Sequence, residues 1–189
     1  MEGTVILLAV LGLVVLVPLL ALWAIYNSLV AGRLKVKEAF SGIYVQLKRR
    51  ADLIPNLVTA VKGYTQHERE TLENLTRLRT EFLKVNPNDR SAVMEQGNML
   101  SQAMKSVFAV SENYPNLKAS ENFAKLQGSL EETEDQVAAA RRIYNANVND
   151  YNTSVQQFPS NIAAGWFKFA EEPFFQTDQT LDEAPKVSF

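Results

Sequence analysis

The chain has no cysteine and a single histidine in 189 residues. The first absence removes disulfides, thiolate metal sites, a cysteine nucleophile and a lipid-anchored cysteine, while leaving the redox compartment open. The second strips His67 of the partners that a histidine metal centre or a Ser-His pair requires. A di-iron bundle needs Glu-x-x-His on two helices, and the residue three before His67 is Tyr64. Glycine-rich phosphate loops, nucleophile elbows and zinc-binding spacings are also missing. The sequence therefore offers no catalytic residues, no cofactor-binding residues and no metal ligands, and reads as a non-enzymatic protein. Net charge is −2 with a pI near 5.5, so no basic field points to nucleic acid.

Charge is wholly absent from Gly3 to Gly32, and Val5–Ile25 (VILLAVLGLVVLVPLLALWAI) is almost entirely aliphatic. About 20 apolar residues at 1.5 Å each cross a hydrocarbon layer roughly 30 Å thick. Trp23 and Tyr26 stand where the far interface would fall. Pro18 and Gly12 are compatible with a membrane helix. A cleaved signal peptide fits poorly: Glu2 replaces a basic n-region, the apolar run is too long, and no A-x-A site follows. Arg33, Lys35 and Lys37 flank the span on its C-terminal side. The positive-inside rule then puts the N-terminus outside and the rest of the chain in the cytoplasm.

Proline and glycine are scarce beyond residue 32, apolar residues recur at three and four, and strand alternation is missing. The expectation is all-α: a single N-terminal transmembrane helix followed by an antiparallel up-and-down four-helix bundle of long helices. The pattern predicts helices over about 28–51, 55–84, 91–113 and 123–158. Pro55 suits the first turn of a helix, which predicts a hairpin at residues 52–54, at the membrane-distal end. NPNDRS (86–91), with Ser91 or Asp89 as cap, and NYPNLKAS (113–120) supply the other turns. Three segments result: an anchor over 1–27, the bundle over 28–158, and an aromatic-rich segment with a tail over 159–189.

Two clusters stand out. Lys48, Arg49, Arg50 and Asp52 sit beside the expected hairpin. There the cations serve either a helix C-terminus or an acidic docking partner. Asn145, Asn149 and Asn152 fall at i, i+4 and i+7 on one helix face. Asparagine is a mediocre helix former, so a stripe of three suggests interhelical hydrogen bonds that fix register or oligomeric state. EETED (131–135) reads as a solvated face. The segment after the last helix is rich in aromatics, and Phe158, Trp166, Phe167 and Phe169 are candidates for the headgroup level alongside Trp23 and Tyr26. Packing back over the open end of the bundle is the alternative.

The run VKEAFSGIYVQLKRRADLIPNLVTAVKGYTQHERETLENL, preceded by YNSLV, resembles the LemA family of bacterial membrane proteins. So do YNANVNDYN followed by FPSNIAAGWFKF, and the ending EAPKVSF. Phe40 stands where relatives commonly carry tryptophan. The resemblance implies one membrane helix, an outside N-terminus, a cytoplasmic helical bundle and no established reaction. Relatives occur among magnetosome-membrane proteins, and a family gene often neighbours a membrane zinc metalloprotease. The expected function is a membrane-anchored scaffold of the bacterial inner membrane. Its expected partners are the lipid bilayer and further copies of itself in a homo-oligomer. The alternative is an adaptor for a membrane protease or envelope-stress pathway, with a membrane-protein partner.

Overall fold

The computed structural model describes residues 2–64 and 68–175. His67 and the tail from residue 176, with the ending EAPKVSF, lie outside the described residues. The described chain is helical, with no strand. Helix α1 runs Glu2–Lys62, α2 Arg69–Lys84, α3 Arg90–Ser111, the single turn α4 Pro115–Lys118, α5 Glu121–Gln156 and α6 Ser160–Phe167.

The expected hairpin at residues 52–54 does not form. Helix α1 continues through Pro55 and ends at Lys62, so the first turn begins at Gly63. Proline inside a helix removes the hydrogen bond to the carbonyl four residues back, here that of Ala51. The Arg79 guanidinium, from α2, donates to that carbonyl from Nε at 3.0 Å. The group orphaned by Pro55 is thus satisfied from a neighbouring helix, which is why the break expected from local sequence is overridden. Elsewhere the turn chemistry acts as read: Asp89 caps α3, its carboxylate accepting from the Ala92 amide at 3.0 Å.

The chain divides into two compact units, Ala39–Ile143 and the remainder. The first is a helical bundle whose cross-helix pairs fix the helix directions. Tyr44 of α1 stacks on Phe82 of α2, while Ala51 meets Arg79. Arg141 of α5 bonds Asn98 of α3, whereas Phe108 packs near Phe123. Partner numbers fall as the first number rises, so both pairs of helices are antiparallel. Phe40 lies under Arg90 and Leu47 beside Gly97, so α1 and α3 run in the same direction. Ile43, Leu47, Ile54, Leu57, Leu75 and Val107 belong to the buried core, with spacings that follow the helical period. Tyr64 falls in the turn after α1 and is 46% exposed.

A β-carbon at Gly97 would come within 2.9 Å of Leu47 Cδ1. Glycine there lets Leu47 press against the α3 backbone and leaves the Gly97 carbonyl within reach of α1.

In the other unit, the N-terminal part of α1 meets the end of α5, α6 and an extended segment ending at Phe175. Leu29, Ala163 and Ala164 are buried together, with Leu22, Ile25, Val155 and Phe169 packed around them. Two consecutive alanines let α6 approach α1 closely. A Schellman-type turn ends α6: Lys168 takes the left-handed conformation at φ 56° and ψ 42°, and the Phe169 amide donates to the Ala164 carbonyl at 2.9 Å. The chain then leaves α6 as the extended arm 169–175.

Candidate functional site

The most ordered polar arrangement lies where that arm meets α5. Asn152 grips Glu172 by both main-chain groups: its Nδ2 donates to the Glu172 carbonyl at 2.9 Å, and its Oδ1 accepts the Glu172 amide at 2.9 Å. Asn145 does the same to Phe175, at 3.1 and 2.8 Å. One residue before each asparagine stands a tyrosine. Tyr151 donates its hydroxyl to the Ala170 carbonyl at 3.0 Å, and Tyr144 to the Pro173 carbonyl at 2.7 Å.

The two Tyr-Asn pairs are one device used twice. They sit seven residues apart on α5, about 10.5 Å along a helix. Their targets sit three residues apart on the arm, about 10 Å in an extended chain. The periods match, so the device repeats in register with the arm running opposite to α5. Every one of these bonds goes to main chain. Side-chain specificity is added by Phe175, which is buried, and by Glu172, whose carboxylate stands 3.8 Å from Arg33 Nε. Gly32 admits the Tyr151 ring, since a β-carbon there would lie 3.2 Å from Tyr151 Cδ2. Burial pushes the Tyr151 phenol above its ordinary range; Arg33 draws it back and Glu172 adds to the push.

Of the three asparagines singled out by spacing, the structure brings Asn145 and Asn152 together on the arm, while Asn149 is exposed. Tyr144 and Tyr151 were not singled out by spacing. The signal for their role was the doubled YN at seven-residue spacing in YNANVNDYN.

The basic cluster splits. Lys48, Arg49 and Asp52 are exposed, with Arg49 Nη1 donating to Gln136 Oε1 at 3.1 Å. Arg50 is fully buried. Its guanidinium donates to the Glu134 carboxylate and, at 3.0 Å, to the Gly97 carbonyl. Three helices are tied through this one side chain. None of these cations stands at a helix C-terminus, because α1 continues to Lys62. Glu134 gives the acidic run one inward partner, while Glu131, Glu132 and Asp135 are exposed.

Trp23 is 68% exposed, Phe158 76% and Trp166 70%. Tyr26 takes the edge of Phe167 at 4.8 Å and of Phe169 at 5.7 Å. Between α6 and α1 runs an apolar groove of about 480 Å³, lined by Val14, Pro18, Leu22, Ile162 and Trp166 among others. Among the described residues no group of three or more His, Cys, Asp or Glu could hold a metal ion.

These features define a class: a helical-bundle protein with one N-terminal helix long and apolar enough to cross a membrane. The family model described as the LemA family matches residues 39–189, and the chain belongs to that family. It is 24% identical over 153 residues to Protein LemA of Metamycoplasma hominis, covering 81% of this chain and 69% of that relative. It is 25% identical over 175 residues to Magnetosome protein MamQ 2 of Paramagnetospirillum magneticum, covering 80% and 64%. To Magnetosome protein MamQ of Magnetospirillum gryphiswaldense it is 22% identical over 174 residues, covering 79% and 64%. The chain thus spans about two thirds of the length of these relatives. Family and apolar helix together are consistent with a membrane-anchored protein.

Proposed function

We propose that this protein is a non-enzymatic scaffold anchored in the bacterial inner membrane, with its N-terminus outside, its bundle in the cytoplasm, and copies associating with one another. The observation that carries the reading is helix α1. Its apolar run is bare: Ile6, Leu7, Leu11, Val14, Leu20 and Trp23 are each more than half exposed. Leaving such side chains in water costs about 2 kcal/mol apiece, a cost that disappears in lipid. The same helix continues without a break into Leu47, Ile54 and Leu57, which are core residues of the bundle. One helix thus carries both the apolar run and core positions of the bundle, which suits a protein whose task is to hold a cytoplasmic surface at a membrane.

Exposed Phe158 and Trp166, on or beside a helix packed on Leu22 and Ile25, support α6 lying at the headgroup level. The exposed Lys48, Arg49 and Asp52 support a polar contact surface on the bundle. The relatives named as magnetosome proteins support a role at a membrane-bounded structure.

Lysine-directed cross-linking in native membranes tests the reading. A scaffold gives a ladder at multiples of the chain's own 21.2 kDa mass. A single adduct with a different membrane protein refutes self-association and favours the adaptor.

A further inference from the structure

The Tyr-Asn device has an unusual property for a contact within one chain. Its six hydrogen bonds all fall on main-chain atoms of Ala170, Glu172, Pro173 and Phe175. It recognises an extended strand of backbone, as strand-capturing grooves do. Among the four residues so bonded, the side chains that add specificity are Glu172, beside Arg33, and the buried Phe175. The occupant it fits is therefore an extended segment with an acid three residues before an aromatic. The segment shown to fit is this chain's own EPFF (172–175).

That arm is joined to α6 through Lys168, a non-glycine residue held in the left-handed region. This conformation is disfavoured for residues with a β-carbon. Turning Lys168 to an extended conformation relieves that strain. It also aims the arm away from its own α5, giving up the Phe169 amide bond to the Ala164 carbonyl but leaving unaltered the bonds that residues 170–175 make once seated. An anchor shared by all copies would hold every groove and arm in one plane in the same orientation, which raises their effective concentration for one another.

We infer that the groove formed by Tyr144, Asn145, Tyr151 and Asn152 is the self-association site of this protein, filled in trans by the arm 169–175 of a second copy. The inference rests on the self-association proposed above and gives it a site. Exchange of an identical element between protomers makes the same bonds in the dimer as in the closed monomer. The closed arm is then the resting form, and exchange links neighbours in the membrane.

Complementation between two full-length variants tests this. N145A/N152A destroys the groove and keeps the arm. E172P/F175P keeps the groove and removes both amide donors and both side-chain signals from the arm. Each variant is purified alone in detergent, and an affinity-tagged copy of one is coexpressed with an untagged copy of the other. Helicity by circular dichroism confirms folding. Y144F/Y151F, which removes two hydroxyls only, serves if the asparagine variant fails to fold.

Arm exchange predicts that the wild type is a dimer or larger and that each variant alone has half the mass of a dimer. It further predicts that the tagged variant recovers the untagged one near one to one. Variants that stay oligomeric alone overturn arm exchange while leaving self-association standing. Variants that become monomers but do not recover each other overturn it too, since the groove then serves only to close its own chain. A monomeric wild type overturns both proposals. Recovery of a different protein through the wild-type groove but not through N145A/N152A assigns the groove to a heterologous strand and overturns the second-copy assignment.

Discussion

Arg49 and Arg50 are neighbours of the same type, and the structure gives them opposite fates. Replacing Arg50 by alanine removes a fully buried side chain that reaches Glu134 and the Gly97 carbonyl. Charge-assisted hydrogen bonds of this kind contribute about 1.5–3 kcal/mol each. Two circumstances pull the cost to the lower end. Glu134 is 46% exposed and regains water, and the Gly97 carbonyl keeps a bond from Ser101 Oγ at 3.1 Å. The lost methylene stem adds about 0.8 kcal/mol per buried group, while release of a buried charge offsets part of the total. The expected net cost is about 3 kcal/mol, the low end of what breaking a buried pair costs. At roughly 2–4 °C per kcal/mol for a chain of this size, the melting temperature falls by about 10 °C. Arg50→Met, which keeps the volume and removes the charge, stays within about 1 kcal/mol of wild type. Arg49→Ala stays within about 0.5 kcal/mol, as exposed positions do. Thermal unfolding of the full-length protein in detergent, followed by circular dichroism, reads all three. Arg50→Ala melting with Arg49→Ala would refute the assignment of Arg50 as the tie between three helices.

Asn152→Ala removes both bonds to Glu172 and should raise hydrogen exchange at the Glu172 amide at least tenfold, with Asn149→Ala leaving it unchanged. Arg79→Ala should cost about 1–2 kcal/mol by orphaning the Ala51 carbonyl. In a Pro55→Ala background, where the helix supplies its own donor, that cost should fall below about 0.5 kcal/mol. Tyr151 carries a phenol pKa raised mainly by burial, above an unfolded value of about 10. The stability this lends is complete below pH 10 and is lost as pH rises through the folded value, because a tyrosinate has no proton for the Ala170 carbonyl. A titration of tyrosinate absorbance should lose a late component in Tyr151→Phe relative to the wild type.

Much of this fold was legible because burial obeys period. The stripe Leu29, Val36, Phe40, Ile43 and Leu47 is buried throughout, and each of its steps is set by helix geometry alone. The position of the first turn was not legible. Local chemistry places it at Pro55, and what cancels the proline is a guanidinium from α2, 24 residues away in sequence and visible only after folding. The same limit applies to the basic cluster. Lys48, Arg49 and Arg50 differ in register by 100° per residue, so one of three consecutive residues can face inward; which one depends on Gly97 and Glu134. At the arm, spacing picked out two of the working asparagines but assigned them to a neighbouring helix. Their partner is an extended segment without period, and a segment without period leaves no trace in a pattern analysis. The doubled YN was the available signal.

The most direct measurement of the central claim is the mass of the full-length protein extracted in detergent, by light scattering with the detergent contribution subtracted. A self-associating membrane scaffold gives a discrete dimer or a larger homo-oligomer of the 21.2 kDa chain. A clean monomer at every protein concentration would contradict the account.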